Sequence, residues 1–594
     1  MGVNKKRTFQ VGLAFFVVFL ILISRLAYIQ LIATQSFSSE NINLLKAAVR
    51  QRTEGFKLND GRGVLLDRHG RPMRDERRKA LILFPFLKET HWPYKKVAEI
   101  VGVPAENLLE KVKAAQVPFA LPQSLTKQQV SAVRMLHIPG VYAETVQSQE
   151  FDPFAEHILG LVAENSKLVK ERYPEKLRSG VIEPTTKIGI SGLEEAFDPF
   201  LVSRGTSKLI YHTEANGSPL FGLQVRFTGP GSPYYPLSVK TTLDKHLQMI
   251  VQQAVDEAGL EKGGAVLLDA RTNTLLAMVS RPKFDPHHPY DRGAKNYMIL
   301  PQIPGSVFKI VTAAAAIETG AIDPDRQFNC DTNLYGGPNP ERKLGQLTFA
   351  EGFAESCNRV FGQLATEIAD EHPNYIETYA KRLGMLGPVG WRGTVYRVEH
   401  LQHFPNEVPG QIWEDESYKQ NPKSVAQTAI GQLNVRISPL AAANAVATIA
   451  RGGEKAQVRA ATEILYKNGT PLAHFEYQLL PGDTISSFAA MRLQSLMRKV
   501  VTEGTGHRLS RLPYTVAGKS GTAQTGGKNS DVNNQWFAGY FPADNPRYVL
   551  VVVDLHRTPG QVKTYEIYSQ IVKQLFLYDQ KKVAKTIVSP NTFK

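Results

Sequence analysis

The unbroken apolar run from Thr8 to Ser24, which contains no charged residue, fixes how this chain begins. A bilayer span takes about 20 residues. The run continues past Arg25 through Leu26, Ala27, Tyr28, Ile29 and Leu31, and Arg25 can snorkel along its own methylenes. Lys5, Lys6 and Arg7 precede it. Basic residues on that flank predict a cytoplasmic tail over residues 1–7, an anchor over 8–29 and everything later outside the cell membrane. A cleaved signal would end in small residues, and Ser24-Arg25-Leu26 offers no A-x-A pattern, so an uncleaved single-pass anchor is expected.

The chain has 594 residues, too many for one core. With 42% hydrophobic and 21% charged residues it reads as folded and globular. The net charge of +15 suits an anionic lipid or polymer. The basic residues are scattered, with no aromatic-interleaved stripe, which argues against nucleic acid. Cys330 and Cys357 are the two cysteines, too few for a disulfide framework and without metal-ligand spacing. Two buried free thiols are expected, with one disulfide as the alternative.

Residues from Gln30 to about Arg50 read as a polar helical stalk. Gly61 to Gly70 reads as a short strand and a turn, and residues 92–137 alternate helices with loops. A stretch rich in Gly, Pro and Thr from Asn216 to Pro236 marks a domain boundary. Beyond it come an amphipathic helix (Leu243 to Ala258) and a hairpin (263–269 with 274–280). A long apolar helix from Val307 to Glu318 comes next. Strands at 514–517, 536–541 and 548–553 and a helix near 566–577 close the pattern. Strands beside strands with helices at both ends predict an α+β domain around an antiparallel sheet.

Pro304-Gly305-Ser306-Val307-Phe308-Lys309 could carry chemistry. Pro-Gly breaks the chain and Ser306 opens a helix, so Lys309, three residues on, shares its face and can reach Ser306 Oγ. A serine hydroxyl needs a base, and a lysine can be one when burial and nearby cations lower its pKa. Ser-x-x-Lys alone is common; roughly one to three matches are expected by chance in this length. Ser124–Lys127 opens an ordinary helix with Ser124 as N-cap, and Ser280–Lys283 contains a proline. Only Ser306 has a break before it and an apolar helix after it. Ser356-Cys357-Asn358, inside a helical-looking stretch from Phe349 to Ile368, reads alone as a helix cap. Gly518-Lys519-Ser520-Gly521-Thr522, just after the strand ending at Ala517, reads either as a turn or as a peptide-binding edge.

Together, in this order, Ser-x-x-Lys, Ser-x-Asn and Lys-Ser-Gly resemble the active-site signature of penicillin-binding proteins and serine β-lactamases. Arg62 to Gly70, His157-Ile158-Leu159-Gly160 and Gly189-Ile190-Ser191-Gly192-Leu193-Glu194 are similar to pedestal motifs of the class B penicillin-binding proteins. Ile430-Gly431-Gln432 and Ser438-Pro439-Leu440 are similar to the family's segment between the second and third motifs. Gln149–Asp152 departs from the family pattern.

The resemblance implies a mixed α/β, elongated pedestal over residues 30–236, a transpeptidase domain over 237–582 and a tail over 583–594. It implies Ser306 as nucleophile, Lys309 as its base, Ser356 as proton relay and Asn358 on the donor amide. Lys519 and Thr522 would hold the terminal carboxylate, with Ser520 and Gly521 shaping that edge, and the N–H groups of Ser306 and Thr522 would form the oxyanion hole. The implied activity is D,D-transpeptidation of peptidoglycan stem peptides with covalent binding of β-lactams. It calls for no metal or cofactor and leaves the pedestal to meet wall-synthesis partners. A D,D-carboxypeptidase or β-lactamase, and a non-catalytic sensor or scaffold, are the rival readings.

Overall fold

The computed structural model describes residues 5–34, 37, 44, 53–74, 77–147, 152–212, 225–229, 231–285, 292–339, 342–525, 532–557 and 563–588. Most of the expected stalk, much of the Gly-, Pro- and Thr-rich stretch and Gln149–Phe151 lie outside the described residues.

Helix α1 (Lys5–Ala27) continues into a wider turn over Tyr28–Ile32. At 1.5 Å per residue it rises about 35 Å, enough for the hydrocarbon core of a bilayer. Its phenylalanines at 9, 15, 16 and 19 are all exposed, and a helix apolar on every side is suited to an apolar solvent. Among the described residues it is the one helix long and apolar enough to cross a membrane.

The chain forms two compact units. The first comprises residues 1–61, 75–149 and 205–231. Its strand Thr53–Asn59 pairs antiparallel with Ser207–His212, and its strand Arg77–Leu83 pairs with Val141–Gln147. Helices Tyr94–Val101, Ala105–Ala114 and Lys127–Met135 bury Val97, Leu108 and Val130 in one apolar cluster with Leu81 and Leu83. The last of these helices is capped by Thr126 in a capping box with Gln129, not by Ser124 as the sequence suggested. Thr126 has the partner that closes the box, and Ser124 lies too far upstream.

The second unit, residues 62–74, 150–204 and 232–594, holds all three motifs. Within it the distant pedestal motifs meet: Arg62 bridges Glu194 at 2.6 Å and Asp198 at 2.5 Å, all three buried. Val64–Leu66 pairs in parallel with Ser238–Thr241. Helix α2 (Lys245–Glu257), capped by the Asp244 carboxylate, leads into the expected hairpin of β1 (Gly263–Asp269) and β2 (Leu275–Arg281). Then come α3 (Lys309–Glu318), α4 (Asn358–Glu371), α5 (Pro439–Ala450) and α6 (Ser487–Thr502). After them are β3 (Ala517–Gln524), β4 (Asn533–Phe541), β5 (Tyr548–Arg557) and α7 (Lys563–Val588).

The five strands form one antiparallel sheet in the order β2-β1-β5-β4-β3. Alternation along each strand splits its side chains between two cores. Ala265, Leu267 and Phe537 pack with α2 and α7, while Val266, Leu268 and Trp536 join a core with α3 and α5. Among the described residues, strand β3 is an edge, paired only with β4.

The expectation that a strand ends at Ala517 is corrected by β3. Gly518, Ser520 and Gly521 are poor strand formers and suggest a turn. Residue-by-residue pairing from Ala517↔Tyr540 to Gln524↔Asn533 overrides that preference. The continuous helix expected from Phe349 to Ile368 is also broken, into Phe349–Ala354 and α4.

Candidate active site

Ser306 lies in a single 3₁₀ turn, Gly305–Phe308, that feeds α3. Gly305 has φ +54°, and a Cβ there would stand 2.2 Å from Thr522 O on β3. Gly431 backs the same turn: its φ is +74°, a Cβ would meet Gly305 O at 2.1 Å, and its carbonyl accepts the Gly305 N–H at 3.0 Å. Glycine at both places lets the serine turn sit between two backbones. Ser306 is half-buried, whereas Lys309 and the residues through Ala316 are fully buried.

Lys309 Nζ lies 2.7 Å from Ser356 O, 2.7 Å from Asn358 Oδ1 and 3.1 Å from Ser356 Oγ. Helical spacing pairs it with Ser306; in the structure no hydrogen bond joins these two side chains, and the amine is held by the second motif. Burial, then the charges of Lys519 and Arg342, hold its pKa well below the usual lysine value. Both carbonyl oxygens can only accept, so each takes an N–H. A neutral amine has two, which leaves its lone pair toward the Ser356 hydroxyl.

The second motif is the break between two helices. A capping box of Thr348 and Glu351 starts the first, and Ser356 then turns the chain at φ +58°. A non-glycine residue in this region costs about 1–2 kcal/mol, so its surroundings must hold it. The Cys357 N–H donates to Gly352 O at 2.8 Å, and Cys357 Sγ is bonded to Cys330 with the α-carbons 6.0 Å apart. The expectation of two free thiols is therefore corrected. Two cysteines do not make a framework, yet one bridge suffices to tie the residue between Ser356 and Asn358. Asn358 opens α4, and with its Oδ1 taken by Lys309 its amide nitrogen is left to donate elsewhere.

On β3, burial alternates. Lys519 and Gly521 face inward and Ser520 and Thr522 outward. Lys519 is fully buried and its Nζ donates to Ser356 Oγ at 2.9 Å and Ser520 O at 3.2 Å. Burial, then the Arg342 charge, lowers its pKa to about 7, against a raising contribution from Glu355. Gly521 packs where a Cβ would meet Pro304 O at 2.6 Å. Gln432 Nε2 donates to Thr522 O at 3.4 Å. A strand residue directs its N–H and C=O to the same side, so the Thr522 N–H faces the Gly305–Ser306 turn along with its carbonyl.

The structure thus brings the three motifs together, with Ser356 Oγ between two buried lysines. Sequence reasoning missed Arg342, Glu355 and Thr505, whose Oγ1 is 2.7 Å from Ser520 Oγ; none belongs to a motif.

The family profile described as penicillin binding protein transpeptidase domain matches residues 263–576. A second, described as penicillin-binding protein dimerisation domain, matches residues 57–233. The chain belongs to the class B penicillin-binding proteins. This penicillin-binding protein is 25% identical over 583 residues to stage V sporulation protein D of Bacillus subtilis, covering 92% of this chain and 81% of that one. It is 30% identical over 389 residues to PbpB of Mycolicibacterium smegmatis, across 61% of this chain and 57% of the relative. It is 23% identical over 567 residues to the peptidoglycan D,D-transpeptidase FtsI of Escherichia coli, across 90% and 84%. Its fold matches a chain from a study of polymerization and crosslinking by a peptidoglycan synthase complex. The TM-score is 0.64 at 24% identity, over 95% of this chain and 97% of that one.

Proposed function

We propose that this class B penicillin-binding protein is a peptidoglycan D,D-transpeptidase that works through an acyl-enzyme on Ser306. The observation that carries this is the meeting of three distant motifs around two buried lysines, one of which has every reason to be uncharged.

In this mechanism Ser306 Oγ attacks the carbonyl between the two terminal D-alanines of a stem peptide. The C–O bond forms first, giving a tetrahedral intermediate, and the C–N bond breaks as that intermediate collapses to the ester. The hydroxyl proton passes to Lys309, whose longest and most exchangeable contact, Ser356 Oγ at 3.1 Å, is the one to yield. Catalytic hydrogen bonds of this kind often tighten only with substrate bound. The Ser356 hydroxyl gives its proton to the departing D-alanine nitrogen and takes one back from the Lys309 ammonium, which leaves the amine neutral again. The amide of Asn358 holds the donor peptide, and the outward hydroxyls of Ser520 and Thr522 cradle its carboxylate with the Lys519 charge behind them. The N–H groups of Ser306 and Thr522 receive the oxyanion, a donor of this kind contributing about 3 kcal/mol. An amine from a neighbouring stem peptide then takes the acyl group, and a β-lactam leaves a stable ester instead.

In the same reading α1 anchors the chain with its amino terminus in the cytoplasm. Residues 30–236 form the pedestal that meets wall-synthesis partners, and residues 237–582 form the transpeptidase domain outside the membrane. The test is an assay of the purified full-length protein with a stem-pentapeptide donor and an amine acceptor. The expected result is a cross-linked product with release of one D-alanine. Release of D-alanine with only the hydrolysed tetrapeptide would favour the carboxypeptidase reading and overturn this one.

A further inference from the structure

Arg342 lies outside the three motifs, partly exposed, and holds the second motif at two points. Its Nη1 donates to the Glu355 carbonyl oxygen at 2.9 Å and its Nη2 to the Glu355 carboxylate at 2.9 Å. That carbonyl belongs to the peptide group whose nitrogen is Ser356 N. Ser356 carries the positive φ and has both lysines on its oxygen atoms. Arg342 and Cys330 belong to one excursion of the chain, whose ends pair as Phe328↔Leu347 and Asn329↔Gln346. This excursion therefore fixes the turn on both sides of Ser356, ionically at Glu355 and covalently at Cys357.

We propose that Arg342 is a positioning residue for acyl transfer. By gripping the Glu355–Ser356 peptide and bringing a permanent positive charge to bear on both amines, it sets the place of Ser356 and the field in which Lys309 and Lys519 work. This rests on the acyl-enzyme reading above. The charged groups acting on Lys309 are Lys519 and Arg342, and those acting on Lys519 are Arg342 and Glu355.

The effect on pH dependence has a definite sign. Acylation needs Lys309 neutral, so it rises with pH through the Lys309 titration. It needs Lys519 charged to attract the substrate carboxylate, so it falls as pH rises through the Lys519 titration. Arg342 presses both values down. Removing its charge raises both, and the whole bell moves to higher pH.

The test is the second-order rate of labelling of the full-length protein by a fluorescent penicillin between pH 5 and 9. Wild type is compared with Arg342→Gln and Arg342→Lys, with Ser306→Ala as the blank. For Arg342→Gln both limbs are expected to move up by about one pH unit. The variant then labels about ten-fold more slowly than wild type on the acid side, and the two profiles draw together or cross on the alkaline side. Arg342→Lys keeps the charge but loses the two-point grip, so its limbs stay in place while the plateau falls several-fold. A profile for Arg342→Gln that is lowered without moving, or one that superimposes on wild type, would overturn the proposal. Wild type that takes no label, or label that persists in Ser306→Ala, would instead remove the acyl-enzyme reading, and this inference with it.

Discussion

Lys309→Met is expected to slow acylation of Ser306 by about a thousand-fold, within the usual range for loss of a general base. Burial is the first cause. An ammonium in a fully buried position with two other cations nearby is costly, which holds the Lys309 pKa well below the usual lysine value and favours the neutral amine. A neutral amine three residues after Ser306 can then serve as the base, and methionine supplies the volume without the lone pair. Lys309→Arg separates this from a structural role. The guanidinium can still donate to Ser356 O and Asn358 Oδ1, but it stays charged at any working pH. Its loss is therefore expected to match that of methionine. Stopped-flow labelling with a chromogenic or fluorescent β-lactam measures both. In wild type the same rate declines as pH falls through the Lys309 titration. An arginine variant with near-native rate would remove Lys309 from the role of base.

Gly305→Ala is expected to cost about 1–3 kcal/mol from backbone strain at φ +54°. It is also expected to lose about a hundred-fold in acylation rate, the scale of an ångström-sized displacement of a reacting group. The added methyl would stand 2.2 Å from Thr522 O, a backbone atom that cannot swing away. Either the serine turn or β3 must withdraw, and the two N–H groups proposed for the oxyanion hole separate. Gly452→Ala is the control. That glycine also has a positive φ, +73°, but nothing lies within 4 Å of the added Cβ. It is expected to lower the melting temperature slightly and leave the labelling rate unchanged. Equal loss of activity in both variants would show that strain alone explains the effect.

Much of this could be read from the chain. The anchor is legible because nothing in water stabilises a charge-free run such as Thr8 to Ser24, and the β1–β2 hairpin because its apolar residues are bounded by turn formers. The order of the motifs points to the site proposed above. The chain hides effects decided between elements. Lys519 and Thr522 fall on opposite faces of β3, so the lysine serves Ser356 from below while the hydroxyls face outward. That depends on pairing with β4, which small residues in the third motif disguise. Ser356 lies in a stretch that looks helical as a whole and alone reads as a helix cap; the bond from Cys357 to Cys330 and the grip of Arg342 accompany a turn of positive φ there that propensity would not choose. Lys309 looks like a partner of Ser306 because spacing counts only its own helix, while Ser356 and Asn358 approach from another.

The position of the covalent adduct shows whether Ser306 is the nucleophile. Full-length protein treated with benzylpenicillin, digested and mapped by mass spectrometry, is expected to carry one penicilloyl group, on Ser306, with none on Ser306→Ala. An adduct on another residue, or one retained when Ser306 is replaced, would contradict the account.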